Sequence, residues 1–127
     1  MRYYLGYDTK ESEAFSVALH SLRQHEPDLK ATGLRLDDLR ADGLYSRPTS
    51  NRDGRLWDDL SGAYMSTEHA NSRFLVPSLA KTGWALFTDC DIIARRPISD
   101  ILEQAIDKYA VMVVKHNYAP IQTMKMD

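Results

Sequence analysis

Gly83-Trp84-Ala85-Leu86-Phe87-Thr88-Asp89-Cys90-Asp91 is the stretch on which the reading of the fold turns. From Trp84 to Thr88 bulky apolar residues follow one another without a polar break. Such a run reads as a strand buried on both faces, as in the middle of a mostly parallel sheet. It stops at Asp89. On an extended chain Asp89 and Asp91 project to one side, and Cys90 turns to the other, into packing. Ligands of open α/β sheets gather outside the carboxyl ends of the strands, which is where this pair of carboxylates falls.

Toward the N-terminus, Arg2 to Tyr7 is an aromatic and apolar run broken by Gly6, an opening buried strand that ends at Asp8. Asp8, with Glu11 three residues on, has the form of a capping box. Phe15, Ala18, Leu19 and Leu22 then recur at helical spacing until Pro27 forbids continuation. Leu29 to Leu36 alternates only in part and is interrupted by Gly33, a weaker second strand. Between Asp37 and Gly62 the density of Asp, Arg, Gly, Ser and Asn, with Pro48, predicts a long irregular connection around Trp57. Ser66 or Thr67 can cap a second helix that carries Ala70, Phe74, Leu79 and Ala80 and is kinked at Pro77.

Toward the C-terminus, Pro97 and Ser99 start a third helix with an apolar stripe of Ile98, Ile101, Leu102, Ala105 and Ile106. Ala110 to Val114 is the next expected strand. Strands alternating with helices, without an internal repeat, give an α/β fold: a mostly parallel, Rossmann-like sheet flanked by helices, one unit across residues 1–127. The tail from Lys115 to Asp127 has no periodicity that would close a domain, so the chain reads as truncated. A sheet cut there exposes an edge and predicts self-association.

The chain has 43% hydrophobic and 27% charged residues, the composition of a compact unit rather than a disordered one. A formal net charge of -2 gives no general attraction to nucleic acid or to an anionic membrane, so any phosphate binding must be local. Its single cysteine, Cys90, forms no internal disulfide, and no apolar run is long enough for a signal h-region or a transmembrane segment. A cytoplasmic location is the simpler expectation.

A hard divalent cation such as Mn²⁺ or Mg²⁺ shares its coordination between one or two carboxylates and substrate phosphates, and Asp89 with Asp91 supplies such a half-shell. The metal can neutralise a departing diphosphate. A short Asp-X-Asp is unspecific alone, since aspartates are also common solvated turn residues. Its context is more specific. Met65-Ser66-Thr67-Glu68, Ser72-Arg73-Phe74-Leu75-Val76-Pro77 and the stretch from Gly83 to Asp91, together with Leu5-Gly6-Tyr7-Asp8, resemble GT-A fold glycosyltransferases, most of all bacterial and phage relatives of the glycosyltransferase family 8 type. In that family an Arg-aromatic-X-X-Pro helix precedes an apolar strand that ends in Asp-X-Asp.

The resemblance implies a UDP-sugar donor, a glycan or other hydroxyl acceptor and metal-dependent sugar transfer. By the same resemblance Asp89 lies near the sugar or ribose and shares the metal with Asp91, while Tyr7 and Asp8 contact the base or ribose. Arg73 faces the nucleotide sugar or its phosphates, or else holds an aspartate of the motif in place. Each residue also has a plain structural role to weigh: Asp8 as a helix cap, Tyr7 as a core aromatic, Arg73 as a solvated or ion-paired side chain. His20, His25 and His69 form no metal-spaced pair and read as structural. His116, which follows an expected strand, can sit beside the same sheet edge. Family members continue further, into a part that normally holds acceptor contacts and a third metal ligand. Two alternatives are a non-catalytic nucleotide-sugar-binding fragment and a phosphatase of the haloacid dehalogenase type. The latter puts its Asp-X-Asp on the first strand and follows it with small hydroxyl residues, where this chain has Ile92-Ile93.

Overall fold

A computed structural model describes residues 2–115 and Asn117. Tyr3, Tyr4 and Leu5 are buried on both sides of the first strand, β1 (Arg2–Gly6), which makes it the centre of a three-stranded parallel sheet. Its neighbours are β2 (Ala31–Leu34) on one side and β6 (Ala85–Thr88) on the other. Tyr3 and Leu5 face α1 (Ser12–His25), where they pack with Ala18, Leu22 and Cys90. Tyr4 faces the opposite layer, with Leu34, Leu36, Leu39, Tyr45, Val76 and Ala80. The alternation of β1 thus feeds two cores on the two faces of one sheet, an α/β architecture.

The two glycines of this sheet are there for space. A Cβ on Gly33 would lie 3.0 Å from the ring of Phe15, so the break in the β2 pattern is the place where α1 packs close to the strand. A Cβ on Gly6 would lie 2.8 Å from the ring of His69.

Several expected elements take another form. The stretch from Asp37 to Gly62, expected to be irregular, carries most of α2 (Leu36–Ala41) and the strands β3 (Thr49–Arg52) and β4 (Arg55–Asp58), which form a small antiparallel sheet with β5 (Ala63–Tyr64) just beyond it. Its hairpin turns on Asp53 and Gly54, both at positive φ (52° and 74°), as a two-residue turn of matching twist requires. The flanking Arg52 and Arg55 hide the alternation that would have announced it. The second helix is a loop, a 3-10 turn at Ser72–Leu75 and the five residues of α3 (Val76–Ala80), in whose first turn Pro77 is accommodated without a kink. The third is a 3-10 segment, Ile98–Gln104, whose first amides donate to Glu26 Oε2 (Ile98 N at 2.6 Å, Ser99 N at 3.1 Å).

Ala110 to Val114 forms no strand. No described strand offers it a ladder, and Val111, Val113 and Val114 are exposed. For the same reason β6 is an edge among the described strands and only half-buried, where burial on both faces was expected. An apolar groove of about 1120 Å³ runs along it, between Leu86, Ile92, Ile98 and Val113. No described helix is long and apolar enough to cross a membrane.

The small sheet is anchored by Asp58, which is buried to 1% exposure. Its carboxylate accepts from Arg47 Nε at 3.0 Å and Ser61 N at 2.8 Å, and also from the Arg47 terminal nitrogen and the Ser61 hydroxyl. The Arg47 guanidinium and the Ser61 donors hold the Asp58 carboxyl well below the usual carboxylate range. An unfolded-state value of about 3.9 then puts its full contribution to stability above that pH, with loss as the pH falls toward the depressed folded value. Thermal melts should show the wild-type midpoint falling below about pH 4, and Asp58→Asn, less stable at pH 7, falling with a shallower slope. Parallel slopes would assign the acid sensitivity to another group.

Candidate functional site

The chain runs from β1 through α1 to β2 on one side of the sheet, and β6 pairs with the other side of β1. The carboxyl ends of β1 and β6 therefore flank a topological switch point, the usual ligand crevice of an open α/β sheet. The register that pairs Leu5 with Thr88 brings Tyr7-Asp8 and Asp89-Cys90-Asp91 to neighbouring positions at that edge. Asp89 and Asp91 are both exposed there, while Cys90 between them is buried and donates from Sγ to Glu11 Oε2 at 3.5 Å. Burial pushes the Cys90 thiol up to about 11, and the Glu11 carboxylate adds to the rise. That is an inert packing thiol.

Asp8 is buried, and both of its oxygens are taken by backbone amides. Oδ1 accepts from Lys10 N at 2.8 Å and Oδ2 from Glu68 N at 3.0 Å, and the Glu68 carboxylate answers by accepting from Thr9 N at 3.3 Å. The capping box expected between Asp8 and Glu11 is therefore closed by Glu68 of a distant loop, while the Glu11 carboxylate is turned to Cys90. This carboxylate locks two loops of the site together, and its cap role is the one the geometry displays.

His69, read from sequence as structural, sits at the centre of the site. It is 1% exposed and its ring rests against Gly6 and near Phe87, at 6.0 Å between centroids. Nδ1 lies 3.2 Å from the Tyr7 carbonyl oxygen and donates to it, since a carbonyl only accepts. Nε2 lies 3.2 Å from Asp89 Oδ1 and donates there when the ring carries its second proton. Arg73, one helical turn after His69 in sequence, places its guanidinium 3.6 Å from the same oxygen and 5.4 Å from the centre of the Phe87 ring. Of the two roles considered for Arg73, it is the holding of an aspartate that the geometry displays. All hydrogen-bond and ion-pair contacts of Asp89 among the described residues fall on Oδ1.

Tyr7 is half-buried, edge-on to Phe15 with centroids 5.1 Å apart, and the guanidinium of Arg35 lies 3.7 Å above its ring centre. Arg35 follows β2 directly, so three consecutive strand ends contribute to one edge: Arg35, then Tyr7-Asp8, then Asp89-Asp91.

As a cation site the edge offers two exposed carboxylates. No group of three or more His, Cys, Asp or Glu that could hold a metal ion is present among the described residues. Two carboxylates fall short of a closed structural metal site, and a Mn²⁺ or Mg²⁺ ion held there would need water and substrate phosphate to complete its shell. His116 lies outside the described residues.

The sequence is 38% identical over 128 residues to Protein CDI of Arabidopsis thaliana, covering 99% of this chain and 45% of that protein. The chain thus spans less than half the length of the curated relative it matches. No family model matches the sequence, and no solved structure matches it.

Proposed function

We propose that the chain is the nucleotide-sugar-binding part of a GT-A-type glycosyltransferase, which transfers a sugar from a UDP-sugar to an acceptor hydroxyl with Mn²⁺ or Mg²⁺. The observation that carries this reading is the meeting of Asp89 and Asp91 with Tyr7 and Asp8 at the carboxyl ends of adjacent parallel strands, at the point where the strand order reverses.

In this reading a bound cation would be held by Asp91 and the free oxygen of Asp89, and would offset charge developing on the departing diphosphate. The residues of the chain prepare that geometry. His69 and Arg73 fix Asp89 through Oδ1. The cross-loop lock through Asp8 and Glu68 holds the segment that carries His69 against the end of β1. Preorganisation of this kind avoids reorientation when charge develops.

Release of UDP from UDP-sugars tests the reading. Incubation with Mn²⁺ should liberate UDP, and a chelator should stop it. Tight UDP binding without metal-dependent release would identify a nucleotide-sugar-binding module without turnover. Absence of both binding and release would remove the proposal.

A further inference from the structure

The proposed donor site leaves one conspicuous group without a role, the guanidinium of Arg35. It lies 3.7 Å above the Tyr7 ring centre and 5.6 Å from that of Phe15, and Phe15 meets Tyr7 edge-on. The three side chains form one cluster, with Phe15 in turn packed closely against Gly33. Arg35 is exposed, and among the described residues it makes no ion pair. A surface arginine with no carboxylate partner among the described residues, its guanidinium carbon 3.7 Å from an aromatic ring centre, keeps a planar face and N–H donors for a ligand.

Its place in the sheet says what that face can take. Arg35 follows β2 and Asp89 follows β6, with β1 between them, so the two ends are separated by two strand spacings, on the order of 10 Å. The carboxylate end suits a cation with its diphosphate. The other end, where a flat cation sits on a tyrosine, suits a flat, carbonyl-bearing ring, because guanidinium planes stack on nucleobases and donate to base oxygens.

We infer that Arg35, carried on the Tyr7 and Phe15 rings, is the nucleobase-recognition residue of the site, stacking on the base and donating to its carbonyl oxygens. This rests on the donor-site reading given above. The phosphates are bound at the other end of the edge, so Arg35 selects the base and leaves diphosphate affinity alone.

Titrations of the full chain with UDP and with inorganic pyrophosphate, both in Mn²⁺, test this with Arg35→Lys and Arg35→Ala. Lysine keeps the charge and loses the plane. Both variants should bind UDP about 10-fold more weakly, the scale of one lost base stack, and pyrophosphate as the wild type does. Arg35 is exposed, and unchanged thermal melts will exclude unfolding as the cause. Equal losses for UDP and pyrophosphate, or rescue of UDP affinity by lysine, would make Arg35 a phosphate contact and overturn the inference. Wild-type binding of UDP with both variants unaffected would overturn it alone. Failure of the wild type to bind UDP with Mn²⁺ would sink the donor-site reading itself.

Discussion

Replacing Asp91 by Asn should abolish metal-dependent binding of UDP, lowering affinity in Mn²⁺ by about 100-fold or more, equivalent to about 2.8 kcal/mol, without lowering the melting temperature. Asp91 is exposed and makes no hydrogen bond or ion pair among the described residues, so the fold has nothing to lose with its charge. A bound cation, in contrast, would lose one of two protein carboxylates, and no third ligand nearby among the described residues can take over. Asp89→Asn should weaken binding too. It should also perturb the protein, because the side chain lies 3.2 Å from His69 Nε2 and pairs with Arg73. Unchanged Mn²⁺ dependence in Asp91→Asn would show that the exposed aspartate is only a turn residue.

The second large effect is expected at His69. Truncation to Ala empties a site that is 1% exposed and leaves the Tyr7 carbonyl without its donor, at a cost of about 2–3 kcal/mol and a fall in melting temperature on the order of 10 °C. His69→Phe separates packing from hydrogen bonding. It should keep most of the stability, since a ring still fills the space over Gly6, yet lose about 10-fold or more in Mn²⁺-dependent UDP affinity as Asp89 loses its support. Gly6→Ala approaches the same contact from the other side, because its Cβ would sit 2.8 Å from the imidazole and push it away from its present place. If His69→Phe and Gly6→Ala both bind UDP like the wild type, His69 is a packing residue and no more.

Much of the frame was legible because burial leaves a mark on composition. The apolar runs ending at Asp8 and Asp89 are β1 and β6, and the helical spacing of Ala18 and Leu22 marks α1. Cys90 is buried between two exposed aspartates as expected, although the strand ends at Thr88 and Cys90-Asp91 form a bend rather than extended chain. The order of strands was harder to read. The apolar density of Trp84 to Thr88 suggested the middle of the sheet, but Tyr3, Tyr4 and Leu5 hold that place, with two polar hydroxyls among them. The Tyr3 hydroxyl is satisfied by Thr88 Oγ1 at 2.6 Å, a pairing across the sheet that no local pattern reveals.

The misread segments share a cause. The polar hairpin and the short 3-10 segment are held by contacts between residues apart in sequence, such as Arg47 with Asp58, or Glu26 with Ile98 and Ser99, and these leave no period in the sequence. The Asp53-Gly54 pair is the one local signal of the β3–β4 hairpin, and the charged residues around it give it no apolar alternation to flank. His69 was missed for a related reason. Its partners are a backbone carbonyl and a carboxylate 20 residues away, and only its position four residues before Arg73 hinted that the two act together. Arg35 gave no signal at all, since stacking on Tyr7 depends on the pairing of β1 with β2.

Calorimetric titration of the chain with UDP, with and without Mn²⁺, addresses the central claim most directly. The account predicts saturable binding in Mn²⁺ that weakens by about 100-fold when the metal is withheld and likewise in Asp91→Asn. Absence of UDP binding by a folded chain in Mn²⁺, or equal affinity with and without the metal, would contradict it.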